Sequence, residues 1–128
     1  MDARIDPLAL LGLSLGEAHV LRNAGGVVTD DVVRSLALSQ HLLGTRHVTL
    51  IHHTQCGIER LDTARVTAEL AELGGGPPPF ELVAFDDAAQ SVRQSAARLR
   101  DSPFLRVERL EGYVYDVASG ALLDVEPL

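Results

Sequence analysis

The sequence predicts an α/β domain: a sheet flanked by helices, with a β-hairpin at its C-terminal end. Three observations carry that expectation. Residues 47–52 (His-Val-Thr-Leu-Ile-His) form a short apolar, β-branched run of the kind that is covered on both faces. Three further stretches show helical spacing with recognisable start and stop signals. Residues 105–117 alternate around Tyr113, Tyr115 and Val117, and Ser119-Gly120 then turns the chain into 122–126. With 128 residues there is room for one domain, spanning 1–128. Such a chain buries roughly two-thirds of its unfolded surface and needs no disulfide staple.

In chain order, Asp6-Pro7 reads as a turn and residues 18–23 as a short strand, followed by a loop at Ala24-Gly25-Gly26. Thr29 precedes Asp30 and Asp31, an N-cap followed by acids that suit the positive end of a helix. Val32, Leu36 and Leu43 continue that helix as one stripe, and Gly44 stops it. After the strand at 47–52, Thr63 is read as the cap of a second helix, with Val66, Leu70 and Leu73 on one face and Gly74 at its end. The run Gly74–Pro79 is a loop. A brief extended segment at 81–85 leads to a third helix beginning at Asp86 or Asp87. Its Val92, Ala96 and Leu99 repeat at i, i+4 and i+7, and Pro103 marks its exit.

Composition excludes several classes of function. Eleven Arg face eighteen Asp plus Glu, there is no Lys, and the formal charge is −7. That balance argues against nucleic acid or an anionic membrane as partner. No apolar stretch approaches the roughly 20 residues that span a bilayer, and no signal peptide is visible at the N-terminus. A lone cysteine, Cys56, makes no internal disulfide and suits a reducing, cytoplasmic setting.

Three clusters bear chemistry. The strand at 47–52 runs into His52-His53-Thr54-Gln55-Cys56-Gly57, at the carboxyl end where ligands collect in sheets of this class. His53 and Cys56, three apart on a tight loop, offer an imidazole and a thiolate to one metal ion, a pair that suits zinc, with Gly57 easing crowding behind the sulfur. The plainer alternative is a buried free cysteine beside a strand-end histidine. Asp2 and Arg4, two apart on an extended segment, point the same way and pair, which keeps the carboxylate ionised; alone, D-x-R is an exposed ion pair of little worth. Arg22-Asn23-Ala24-Gly25-Gly26 places glycines after an extended segment, either for close approach to a ligand or merely to turn; it lacks the spacing of a phosphate-binding loop. His19, His41 and His47 show no partner pattern, and Tyr113 and Tyr115 read as hairpin packing.

Taken together and in this order, these pieces resemble the β-class carbonic anhydrases. The matching text is Met1–Arg4, Glu17–Gly26, Thr29–Asp31, Arg34–Leu36, Leu43–Thr45 and His52–Gly57. It continues more loosely through Phe85–Asp87, Ser102-Pro103 and Gly112–Asp116. The resemblance implies a mostly parallel sheet flanked by helices, a homodimer or higher homo-oligomer, and a Zn2+ cofactor. His53 and Cys56 are implied as two metal ligands, Asp2 and Arg4 as the catalytic pair that orients the zinc-bound water, and Asn23, Ala24, Gly25 and Gly57 as the lining of the substrate pocket. The implied reaction is reversible hydration of carbon dioxide to bicarbonate by zinc-bound hydroxide. The family's first zinc-ligand Cys belongs two residues before Asp2, ahead of Met1, so the family's central first strand and N-terminal helical arm are expected to be missing from this chain. Met1 is thus read as an internal start, or else the chain is a short remnant with at most a two-ligand site. Either way it is expected to show little activity as it stands. Two other functions fit the same residues: a catalytically silent dimeric interaction protein, and a zinc hydrolase of another small heterocumulene such as carbon disulfide.

Overall fold

The computed structural model describes all 128 residues. Its helices are α1 (Pro7–Leu11), α2 (Asp30–Leu43), α3 (Thr63–Gly74) and α4 (Ala88–Asp101). Its strands are β1 (His47–His53), β2 (Arg109–Tyr115) and β3 (Leu122–Asp124). The three strands form one sheet in the order β1-β2-β3. β1 and β2 run parallel in a seven-residue register from His47↔Arg109 to His53↔Tyr115. β2 and β3 form the expected antiparallel hairpin over three pairs, so most of the pairing is parallel.

Helix α4 lies on this sheet because its sequence stripe matches the groove there. Val92, Ala96 and Leu99 are wholly buried and meet Val48, Leu50 and Val114 in the core. Gly112 makes the close approach possible: a Cβ at that position would lie 2.5 Å from Val92 Cγ1. The β-branched run of β1 alternates as a half-covered strand does, with Val48, Leu50 and His52 buried.

The helix start and stop signals act as expected at α2, and α4 starts at the second of its two candidate acids. Thr29 caps α2 through its side chain on Val32 N, and Gly44 closes it in the left-handed region. Asp87 caps α4 on Gln90 N. At α3 the cap is Asp62 rather than Thr63, because the Asp62 carboxylate reaches Arg65 N at 3.0 Å, and the closing residue is Gly75. Val66 and Leu70 are half-buried, but Leu73 is 85% exposed, so the predicted stripe does not end in the core.

Two further expectations fail. Asp6-Pro7 is not merely a turn: Asp6 accepts from Leu8 N and Ala9 N, Pro7 occupies the first helical position, and α1 follows. Residues 18–23 form no strand, since no strand lies beside them. Their polar groups instead hold the N-terminal segment: Arg22 donates to the carbonyls of Ile5 (2.9 Å) and Asp2 (2.6 Å). β1 borders a groove of about 740 Å³, lined among others by Met1, Asp2, Leu8, Val28, Leu50 and His53.

Candidate metal and water-binding site

The site forms where β1 ends. Strand geometry sends its two last residues opposite ways. His52 turns inward and is fully buried, donating from Nε2 to the Gly26 carbonyl at 3.0 Å, with its ring 5.7 Å from that of Phe85. Its Nδ1 has no partner. Burial pushes the His52 pKa down to about 4, so the ring is neutral at neutral pH. It is therefore committed to the loop behind the site.

His53 faces the other way, toward the N-terminal segment. Its Nδ1 lies 2.9 Å from the Thr54 carbonyl, which can only accept, so Nδ1 carries the proton. Nε2 lies on the other side of the ring, 3.7 Å from Asp2 Oδ2. The two neighbouring histidines turn opposite ring nitrogens to a carbonyl, Nε2 for His52 and Nδ1 for His53. Cys56 follows on the turn, half-buried beside the core. The chain reaches it through Gln55, which sits at φ 55°, a left-handed conformation unusual for a side chain of that kind.

Asp2 and Arg4 form the pair expected. Arg4 Nε and Nη2 donate to Asp2 Oδ1 (2.8 Å) and Oδ2 (2.7 Å), and the Arg4 backbone N–H adds a third bond to Oδ1 at 2.9 Å. The guanidinium holds the Asp2 carboxyl well below the usual carboxylate range. Arg4 Nη2 also reaches the Gln55 carbonyl at 3.4 Å, tying this pair to the turn that carries Cys56.

The glycine loop backs onto the same region. Asn23 donates from its side chain to the Val27 carbonyl at 2.8 Å, and the Met1 amino group donates to the Asn23 carbonyl at 2.7 Å. Ala24, Gly25 and Gly26 make a single 3-10 turn. Gly25, at φ 77°, is required: a Cβ there would fall 2.2 Å from Ile58 Cδ1. Gly57 is different, because a Cβ would meet nothing within 4 Å, so the expected crowding behind Cys56 is absent. Arg22, Thr54 and Asp116 also brace this region. Of the three, only Arg22 carries a signal in the sequence, through the run Arg22-Asn23 before two glycines.

For a metal, the donor chemistry fits in part. His53, with its Nδ1 taken by the Thr54 carbonyl, offers Nε2, and Cys56 offers a sulfur, two donor types zinc accepts. No group of three His, Cys, Asp or Glu side chains converges to hold an ion. The nearest carboxylate, that of Asp2, has both oxygens on Arg4.

Comparison with known proteins adds three findings. The carbonic anhydrase family model matches residues 1–74. β-Carbonic anhydrase 1 of Mycobacterium tuberculosis is 47% identical over 128 residues, covering 99% of this chain and 78% of that protein, and a carbon disulfide hydrolase of Acidithiobacillus thiooxidans is 40% identical over 144 residues, covering 95% and 72%. The crystal structure of carbonic anhydrase from Streptococcus mutans superposes with a TM-score of 0.90 at 40% identity, over 98% of this chain and 77% of that one.

Proposed function

The chain belongs to the carbonic anhydrase family, in its β class, and we therefore propose that its reaction is the reversible hydration of carbon dioxide to bicarbonate. The observation that supports this most is the Asp2–Arg4 pair beside His53. A carboxylate with its charge held by a guanidinium, 3.7 Å from the His53 Nε2, suits the role of accepting a hydrogen bond from a reacting water without taking its proton.

His53 and Cys56 are the metal ligands in this reading. Zinc, when bound, supplies a Lewis acid that makes water nucleophilic near neutral pH. Asp2 orients the water, Arg4 keeps Asp2 ionised and out of the donor set, and Asn23, Ala24, Gly25 and Gly57 line the space for substrate. With His53 and Cys56 alone, zinc would be held weakly and activity would depend on added metal. The protein assembles as a homodimer or higher homo-oligomer and works in the cytoplasm, a setting that suits its single unpaired thiol. No helix is long and apolar enough to cross a membrane.

The carbon disulfide hydrolase relative supports a second reading, in which the same groups act on carbon disulfide. One experiment separates the readings. The full chain is titrated with Zn2+ while carbon dioxide hydration and sulfide release from carbon disulfide are followed in parallel. Hydration that rises with added Zn2+ and disappears in Cys56→Ala is the expected result. Sulfide release without hydration moves the substrate to carbon disulfide. Neither reaction at saturating Zn2+ identifies a catalytically silent interaction protein instead.

A further inference from the structure

The turn of the C-terminal hairpin lies against the end of β1 and ends on His53. Thr54 N donates to the Tyr115 carbonyl at 2.9 Å, one step beyond the β1–β2 register. The Thr54 hydroxyl donates to Asp116 Oδ1 at 3.0 Å and accepts from Val117 N at 3.1 Å. Asp116 is itself fully engaged, accepting from Ala118 N at 3.2 Å and from the Ser119 hydroxyl at 2.5 Å. These bonds, the Ser119 hydroxyl first, hold its carboxyl below the ordinary range, so it acts as an acceptor only. Thr54 is thus anchored at its amide and on both sides of its hydroxyl, the latter by groups 62 and 63 positions away in the chain.

We infer that Thr54 and Asp116 are positioning residues that hold the His53 imidazole in its Nδ1–H tautomer and orientation. The link is the Thr54 carbonyl, the acceptor of the His53 Nδ1–H. That carbonyl belongs to the peptide joining Thr54 to Gln55, whose φ of 55° is the left-handed conformation. A rotation of this peptide would relieve Gln55 and swing the carbonyl away from His53. The anchored hydroxyl opposes that rotation from the Thr54 side. Arg4, donating to the Gln55 carbonyl, opposes it from the other. A ligating histidine gains affinity when its second ring nitrogen is fixed by a carbonyl. What is unusual here is that the carbonyl is supplied by the next residue and steadied from a separate hairpin.

The functional meaning rests on the reading of His53 as a metal ligand, so the test carries one readout that needs no metal. The full chain, wild type and with Thr54→Val, Thr54→Ser or Asp116→Ala, is labelled with 15N, and the side-chain nitrogens of His53 are recorded in mildly alkaline buffer, where the ring carries one proton in every variant. Co2+ alone is then titrated in, with binding followed by the thiolate absorption. In the wild type and in Thr54→Ser, His53 is expected to show one protonated Nδ1 and one unprotonated Nε2. In Thr54→Val and Asp116→Ala, the two nitrogens average between tautomers, and Co2+ affinity falls by about 10–100-fold.

Rescue by Thr54→Ser separates the hydroxyl from packing of the methyl group. A Thr54→Val chain with the wild-type tautomer and affinity overturns the inference, as does Thr54→Ser behaving like Thr54→Val. Circular dichroism monitors folding. If Thr54→Val alone fails to fold, the tautomer and affinity of Asp116→Ala decide between the two outcomes; loss of folding in both assigns the turn to the fold and overturns the inference. A wild-type chain that binds no Co2+ overturns the metal reading above, and the 15N result then decides the positioning claim by itself.

Discussion

His52 and His53 are neighbours in sequence with opposite fates. Pleating alone separates their faces; the partners of His52, Gly26 and Phe85, lie far along the chain, whereas His53 meets the carbonyl of the next residue, Thr54, and faces the distant Asp2. The buried member has a measurable consequence. The pKa of His52 falls from an ordinary 6.5 to about 4, through burial first, so between those values the unfolded chain binds a proton that the folded chain does not. Its contribution to stability is therefore complete above pH 6.5 and is lost as the pH falls toward 4, a change of about 3 kcal/mol. Urea unfolding of wild type and His52→Gln at pH 7.5, 5.5 and 4.5 checks this. The variant is expected to lose part of the acid-side decline, and parallel curves for the two proteins would refute the assignment.

At the scale of elements, most local signals are legible, with α1 and the start of α3 as exceptions. The caps at Thr29 and Asp87, the stop at Gly44 and the hairpin at Ser119-Gly120 are legible because each depends on groups within a few residues. At α3 two good capping side chains stand side by side, and the structure selects Asp62 over Thr63. α1 escapes a reading of the sequence although Asp6-Pro7 is a helix start, since only five residues follow before Gly12. Residues 18–23 have strand-like composition but no strand beside them, and composition says nothing about a neighbour.

The α4–β2 contact is likewise half legible: the α4 stripe is plain, whereas the need for Gly112 opposite Val92 is purely tertiary. Gly112→Ala places a methyl group in that contact and is expected to cost about 1–3 kcal/mol. A thermal melt should show a midpoint lower by roughly 3–12 °C. An unchanged midpoint would mean that α4 and β2 have slack the packing does not suggest.

The whole molecule leaves apolar surface uncovered. On the outer side of α2, Leu38, Leu42 and Leu43 are 49%, 70% and 68% exposed, and Leu21 and Leu36 share the same shallow hollow of about 260 Å³. Contiguous apolar surface of this kind marks an interaction site, and it gives the proposed self-association a place. Leu42→Glu is expected to shift the chain toward monomer in light scattering at micromolar concentration while leaving its circular dichroism unchanged. A wild-type chain that is already monomeric under those conditions would remove the proposal.

Much of the short-range order along this chain, namely the starts of α2 and α4, the stop of α2, the β-branched strand, the hairpin turn and the spacing of His53 and Cys56, can be read directly from the residues, because each follows from interactions a few positions apart. Convergence cannot. That Arg4 reaches the Gln55 carbonyl, that Arg22 grips the N-terminal segment, that His52 is closed off behind Gly26 and that Asp116 braces Thr54 all join residues from 17 to 62 positions apart. Such contacts depend on how the elements pack in three dimensions, and no pattern of nearby residues encodes that.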